Sequence, residues 1–285
     1  MTSLSGISSG LVDEWDLVPD GPVVTTHAGV VRPVLAEGEP AFLKVAEVHP
    51  ETEHEALALQ HWGGRGAVRL LRADPRRRAL LLERLGPEDL TTMPVREACE
   101  TVAGLYADLH VPAPPQLTTL PAYVAQWLPA LAVLPRDAPI PHRLVEQALA
   151  LAADLDEDAS VGRLIHADLH YENVLSGGGR ADWLAIDPQP MSGDPHYEPA
   201  PMLWNRWDEL GDEAGSTRAA IRRRFHTVVD AAGLDEHRAV AWTVVRMVVD
   251  AYWSIEDADR ELRPLGPEEL ERITRCVVIA KAVQD

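Results

Sequence analysis

The stretch Leu164-Ile165-His166-Ala167-Asp168-Leu169-His170-Tyr171-Glu172-Asn173-Val174-Leu175 sets two histidines, two acids and an asparagine between apolar residues. Three chemistries compete for such a segment: a metal site, a phosphoryl-transfer loop, or a polar turn whose side chains merely cap the backbone. Downstream, Ser176-Gly-Gly-Gly-Arg-Ala-Asp182 is a turn and Trp183–Asp187 a short apolar strand. Pairing the two flanking segments as a hairpin brings Asn173 and Asp187 to one end, close to the loop that carries Asp168. Two carboxylates and an amide oxygen are hard ligands, suited to magnesium with a nucleotide phosphate and unlike the nitrogen and sulfur donors of zinc. The spacing H-x-D-x-x-x-x-N, with an aspartate further on, is that of the catalytic loop and metal ligands in kinase-like enzymes.

The chain upstream supplies the other parts in the required order. Residues 22–47 alternate and are rich in β-branched side chains, with Ala36-Glu-Gly-Glu-Pro40 as a hairpin turn. Lys44 lies on the resulting strand, in Ala-Phe-Leu-Lys-Val-Ala. It is conspicuous, because the chain has 26 basic residues and only Lys44 and Lys281 are lysine. A helix over 51–63, opening at Pro50 with acids in its first turn, offers Glu55 to Lys44, with Glu51 a turn earlier. Two more strand-like runs follow, 67–71 and 79–85. An extended backbone after the second would present the Glu83 carbonyl and Leu85 N–H to a purine. Helical patterns follow over 94–110, 122–132 and 142–155, and again over 199–210, 215–232, 235–255 and 267–283. The expected fold is α+β and bilobal, protein-kinase-like: residues 1–85 form a small antiparallel nucleotide-binding lobe with one helix, and residues 86–285 a mainly helical catalytic and substrate-binding lobe.

The motifs Leu164–Leu175, Ile186-Asp187-Pro188, Gly193-Asp194-Pro195 and Leu203-Trp204-Asn205-Arg206 resemble those of the aminoglycoside phosphotransferase superfamily. Within it the chain is most similar to the aminoglycoside 6-phosphotransferase/hydroxyurea phosphotransferase family, the streptomycin 6-kinases. That resemblance implies an ATP- and Mg2+-dependent kinase of a small-molecule hydroxyl, the acceptor being an aminoglycoside such as streptomycin, or hydroxyurea. It makes Asp168 the catalytic base, Asn173 and Asp187 the magnesium ligands, Lys44 the phosphate lysine and Gly29 the remnant of the phosphate-covering loop, residues 25–31. On resemblance alone, Asp194 and Asn205 are expected to contact the acceptor. Ala167 stands where glycine is usual, a change expected to be tolerated if φ there is negative. Tyr171-Glu172 replaces Pro-Gly and adds a carboxylate beside the metal site. Glu198 stands where aspartate is more common, which bears on the acceptor contacts.

Composition narrows the alternatives. A net charge of −19 disfavours a nucleic-acid surface and suits a cationic partner as well as solubility. Neither a signal peptide nor a run of about 18 apolar residues is evident, so a cytoplasmic protein without membrane association is expected. Cys99 and Cys276 are too few for a disulfide framework or a zinc cluster. His166-x-Asp168-x-His170 as a zinc site would leave Asn173 and Asp187 unexplained. His166 is expected to be a buried histidine that positions the loop, and His170 to lie near the phosphate. His110, in a second Ala-Asp-Leu-His at 107–110, is expected only to favour a helix dipole. A kinase of a metabolite such as choline, homoserine or a sugar, or a silent nucleotide-binding protein, would share most of these features.

Overall fold

The computed structural model describes residues 4–26, 29–47, 53–157, 162–211 and 216–284. The chain divides into two compact units, Met1–Leu90 with Glu172–Pro190, and Thr91–Tyr171 with Met191–Asp285. His27, Ala28, Pro50 and Glu51 lie outside the described residues.

The first unit is built on an antiparallel sheet in the order β1 (Leu17–Pro19), β3 (Gly29–Ala36), β4 (Glu39–Ala46), β6 (Ala79–Glu83), β5 (Leu70–Asp74), with β2 (Val24–Thr26) also paired to β3. The expected hairpin about residues 36–40 is present. Strand alternation divides β4 between two faces. Ala41, Leu43 and Val45 enter a core with Val30, Val34, Ala79 and Leu81, closed by Leu11, Val12 and Trp15. Lys44 therefore points to the opposite face, where α2 (Glu55–Trp62) begins. The helix α1 (Leu4–Glu14) has no counterpart in the sequence expectation. Its serines and glycines give weak helical propensity, and burial of Leu11 and Val12 overrides that. The hairpin β8 (Val174–Ser176)–β9 (Trp183–Ala185) also belongs to this unit. Val68 N–H donates to the Ala185 carbonyl at 2.8 Å, and Ala185 N–H to that of Gly66 at 2.9 Å. Arg180 pins the hairpin further, reaching Glu83 and the carbonyls of Gly64 and Ala67.

The second unit is helical: α3 (Val95–Leu109), α4 (Leu120–Ala125), α5 (Leu128–Ala132), α6 (His142–Glu157), α7 (Pro201–Trp204), α8 (Thr217–Ala232), α9 (Glu236–Arg260) and α10 (Pro267–Ala282). Its only described strands are β7 (Arg163–Ile165) and β10 (Met191–Gly193), antiparallel with Met191 opposite Ile165. The helix expected over 122–132 is broken at Gln126–Trp127. Pro129 has no N–H to donate back, so α5 restarts with that proline in its first turn. Likewise 199–210 shortens to α7, because Asn205 is extended and Arg206 has φ +51° before a 3-10 turn over 207–211. α9 runs past the expected end, and no described helix is long and apolar enough to cross a membrane.

Candidate active site

In the first unit Lys44 lies opposite Val31 on β3 and Leu80 on β6. Its ammonium donates to both carboxylate oxygens of Glu55, each at 2.8 Å, and also to Asp187. Glu55 is 2% exposed, whereas the Asp187 side chain is 45% exposed. Burial disfavours the ammonium, but the charges of Glu55 and Asp187 outweigh it and raise the Lys44 pKa above the usual lysine value. Lys44 is thus a cation held from behind by one buried carboxylate, with an accessible carboxylate beside it.

The hairpin turn places the two expected metal ligands together. Asn173 closes a 3-10 turn and β8 starts at the next residue. Ile186 N–H donates to the Asn173 carbonyl at 2.9 Å, so Asp187 follows directly at the same end of the ladder. Strand β9 stops at Ala185, not at residue 187, since Asp187 adopts φ +56°. Gly29 opens β3 opposite Thr26 and Ala46; a Cβ there would fall 2.2 Å from the Val45 carbonyl oxygen, so only glycine fits. Glu83 ends β6 with its carboxylate taken by Arg180 and by Arg69 N–H at 2.7 Å. The segment through half-buried Leu85 runs on to Gly86, whose N–H donates to the Ser176 carbonyl at 2.9 Å.

In the second unit the chain leaves β7 into the loop that carries Asp168. Glu198, wholly buried, straps that loop: its carboxylate accepts from His166 N–H at 2.6 Å and from Ala167 N–H at 3.2 Å. His110 Nε2 lies 3.4 Å from the same carboxylate, and its ring stacks on Tyr106, whose hydroxyl donates to the Glu198 carbonyl at 3.2 Å. Burial works against the charged form of Glu198, but His110 and the His166 peptide outweigh it and lower the Glu198 pKa. Glu198 therefore acts on the loop backbone, not on an acceptor, and His110 does more than favour a dipole. His166 is fully buried, as expected, and its Nδ1 accepts from Asp168 N–H at 3.3 Å. His170 Nε2 is 3.8 Å from Asp168 Oδ2. Ala167 departs from expectation: φ is +64°, the left-handed region where a Cβ is strained. The cramped turn held by Glu198 demands that conformation, and the alanine is carried there at a cost.

Asp194 and Asn205, expected at the acceptor, have protein partners. Asp194 follows Gly193, which pairs with Arg163, so it sits at the end of the β7–β10 ladder away from the loop. It accepts from His196 N–H at 3.0 Å, Trp242 Nε1–H at 2.8 Å and Arg238. His196 Nε2 accepts from Asp235 N–H at 3.0 Å, which leaves Nδ1–H to donate to Asp194 at 2.6 Å. Asn205 donates to the Pro201 carbonyl at 3.1 Å, and its own carbonyl accepts from Arg224 at 2.9 Å. Sequence reasoning passed over Arg246, a buried cation on α9 whose guanidinium lies against the rings of Tyr197 and Trp204. The available signal was a basic and an acidic residue, Arg246 and Asp250, four apart inside an otherwise apolar run.

Comparison with known proteins adds to this geometry. Residues 14–258 match the family model described as aminoglycoside/hydroxyurea antibiotic resistance kinase. A streptomycin 6-kinase of Streptomyces glaucescens is 37% identical over 93% of this chain and 87% of its own length. A hydroxyurea phosphotransferase of Kitasatospora aureofaciens is 38% identical over 90% of this chain and 74% of its own. Among solved structures, a choline kinase of Streptococcus pneumoniae superposes with a TM-score of 0.65 at 12% identity, covering 98% of this chain and 97% of that one, a likeness of fold.

Proposed function

This chain belongs to the aminoglycoside/hydroxyurea antibiotic resistance kinase family and is a phosphotransferase acting on hydroxyl groups, and we propose that it moves the γ-phosphoryl group of ATP to a hydroxyl of an aminoglycoside such as streptomycin, or of hydroxyurea. The observation that carries this reading is the Lys44–Glu55–Asp187 cluster, a desolvated cation between a buried and an accessible carboxylate.

In this proposal residues 1–85 bind the nucleotide and 86–285 supply the catalytic loop and the acceptor side. The Glu83 carbonyl and Leu85 N–H meet the adenine, the backbone at Gly29 covers the phosphates, and Lys44, held by Glu55, neutralises phosphate charge. Asn173 and Asp187 are hard oxygen donors at one hairpin end. Two protein oxygens at one place suit magnesium, an ion that takes much of its shell from phosphate and water. When bound there it would offset charge on the β- and γ-phosphates. Asp168 accepts the proton of the acceptor hydroxyl as that oxygen bonds to phosphorus and the bond to the ADP oxygen breaks. Glu198 holds the Asp168 loop in place. Asp194 and Asn205 shape the acceptor side from behind, Asp194 through its bonds to His196, Trp242 and Arg238 and Asn205 through its amide nitrogen on the Pro201 carbonyl. The net charge of −19 would draw a cationic acceptor.

The test is Mg-ATP consumption by the purified protein with streptomycin, other aminoglycosides, hydroxyurea, choline, homoserine and simple sugars, with mass spectrometry locating the added phosphate. Phosphorylation of streptomycin or hydroxyurea is expected. Transfer confined to a metabolite alcohol, or no transfer to any acceptor, would overturn the acceptor assignment.

A further inference from the structure

Helix α9 places Arg246 and Asp250 one turn apart in the run Val244-Val-Arg-Met-Val-Val-Asp-Ala251. Arg246 is 6% exposed, and its guanidinium lies between the rings of Tyr197 and Trp204, 4.5 and 4.7 Å from their centroids. Its Nε is 3.9 Å from Asp250 Oδ2, beyond hydrogen-bond distance. Among the described residues neither Nε nor Nη1 has a hydrogen-bond partner. Buried N–H groups left unmade on a cation are costly, and an apolar residue would pack this helix without that cost. Tyr197 is the neighbour of Glu198, whose carboxylate holds the His166 and Ala167 peptides, so these donors lie near the loop that carries Asp168. Further along the same helix, at spacings of seven and eight residues, Trp253 Nε1 and Ser254 Oγ are also buried without partners among the described residues. Trp253 packs edge-on against Trp127, 5.9 Å between centroids, whose indole N–H is unpartnered too. One side of α9 is therefore lined with polar groups that the fold itself leaves unused.

We infer that Arg246 is an acceptor-binding, specificity-determining residue whose Nε and Nη1 hydrogens serve an acceptor oxygen three bonds from the oxygen being phosphorylated. The inference rests on the phosphotransferase reading and narrows its substrate class. Cyclitols with vicinal hydroxyls and urea-type hydroxamates, whose carbonyl stands beside the N–OH, both carry such an oxygen. An ammonium group at this point would meet a fixed like charge, so the cationic parts of an acceptor must lie elsewhere. The two rings hold the guanidinium plane, which makes the residue a directional donor that lysine, a point charge on a flexible stem, does not replace.

The experiment compares wild type and Arg246→Lys with streptomycin and hydroxyurea as probes, and follows the arginine 15Nε–1Hε resonances of the wild-type protein as each probe is added without nucleotide. The Arg246 resonance is assigned by its loss in the lysine variant. We expect an acceptor KM at least tenfold higher in Arg246→Lys, an Mg-ATP KM within twofold of wild type, and a shift of the Arg246 resonance with acceptor alone. The inference is overturned by an unchanged acceptor KM, by a fall in kcat with acceptor KM unmoved, or by an acceptor that saturates the protein without shifting that resonance. Failure of wild type to phosphorylate either probe overturns the acceptor reading first, before any variant is compared, and the inference falls with it.

Discussion

Replacing Glu198 by glutamine keeps the shape of the side chain and removes only its charge and one acceptor. In the native protein the carboxylate takes the His166 and Ala167 N–H groups at 2.6 and 3.2 Å and faces His110 Nε2 at 3.4 Å. Glutamine can satisfy one peptide N–H with its oxygen, but its NH2 then confronts the other, leaving a buried donor without an acceptor. Loss of one charge-assisted hydrogen bond costs about 1.5–3 kcal/mol and stranding of one donor about 1–3 kcal/mol, so Glu198→Gln should destabilise the second unit by about 2.5–6 kcal/mol. The assay is urea unfolding followed by far-UV circular dichroism and by tryptophan fluorescence, at several pH values. Because the folded-state pKa of Glu198 is depressed below its ordinary 4.5, its stabilisation is complete above that value and fades as pH falls through the folded-state pKa. Wild type and variant should therefore differ most at neutral pH and converge in acid. In kinetics, kcat should fall while the Mg-ATP KM stays within twofold, since the strap acts on the Asp168 loop and not on Lys44. A loss of less than about 1 kcal/mol, or a gap between wild type and variant that does not narrow in acid, would refute this account of the loop.

Ala167→Gly should stabilise the protein by about 0.5–1 kcal/mol, because relief of a left-handed alanine exceeds the extra chain entropy that glycine brings; a lower urea midpoint would show that the turn is not strained. Lys44→Met strands Glu55 and should cost about 3–5 kcal/mol at neutral pH, with the loss shrinking as pH falls and Glu55 takes up a proton; thermal unfolding across pH checks both. Asp194→Asn should weaken the second unit by at least about 2 kcal/mol through the lost ion pair with Arg238, while the acceptor KM moves less than twofold; a large rise in that KM would place Asp194 in contact with the acceptor after all.

What could be read from the sequence was governed by local pattern. Alternation along 22–47 located the strand of Lys44, and the glycines at 177–179 located the hairpin that aligns Asn173 with Asp187. Both features depend on neighbours in sequence. The partnership of Lys44 with Glu55 was also accessible, because near-absence of lysine elsewhere and a helix eleven residues on restrict the choice. Glu198 was noticed as a departure from a motif, yet its work lies with peptides more than thirty residues earlier, and no spacing rule reports that. The left-handed backbone at Ala167 was invisible for the same reason: tertiary strapping imposes it against the residue's preference. α1 escaped because its Ser- and Gly-rich sequence promises little helix until Leu11 and Val12 find the sheet. Arg246 and Asp250 were visible as a charged pair in an apolar helix. Only the structure shows two rings around the guanidinium and the donors left unmade.

The central claim is that Asp168 is the base of a phosphoryl transfer whose nucleotide is gripped by Lys44. Its most direct test is acceptor-dependent turnover of Mg-ATP by Asp168→Asn, measured beside nucleotide affinity in the same preparation. The account predicts a fall in kcat of at least about 10³-fold with nucleotide affinity unchanged within a factor of about two. Turnover near that of wild type in Asp168→Asn would contradict it.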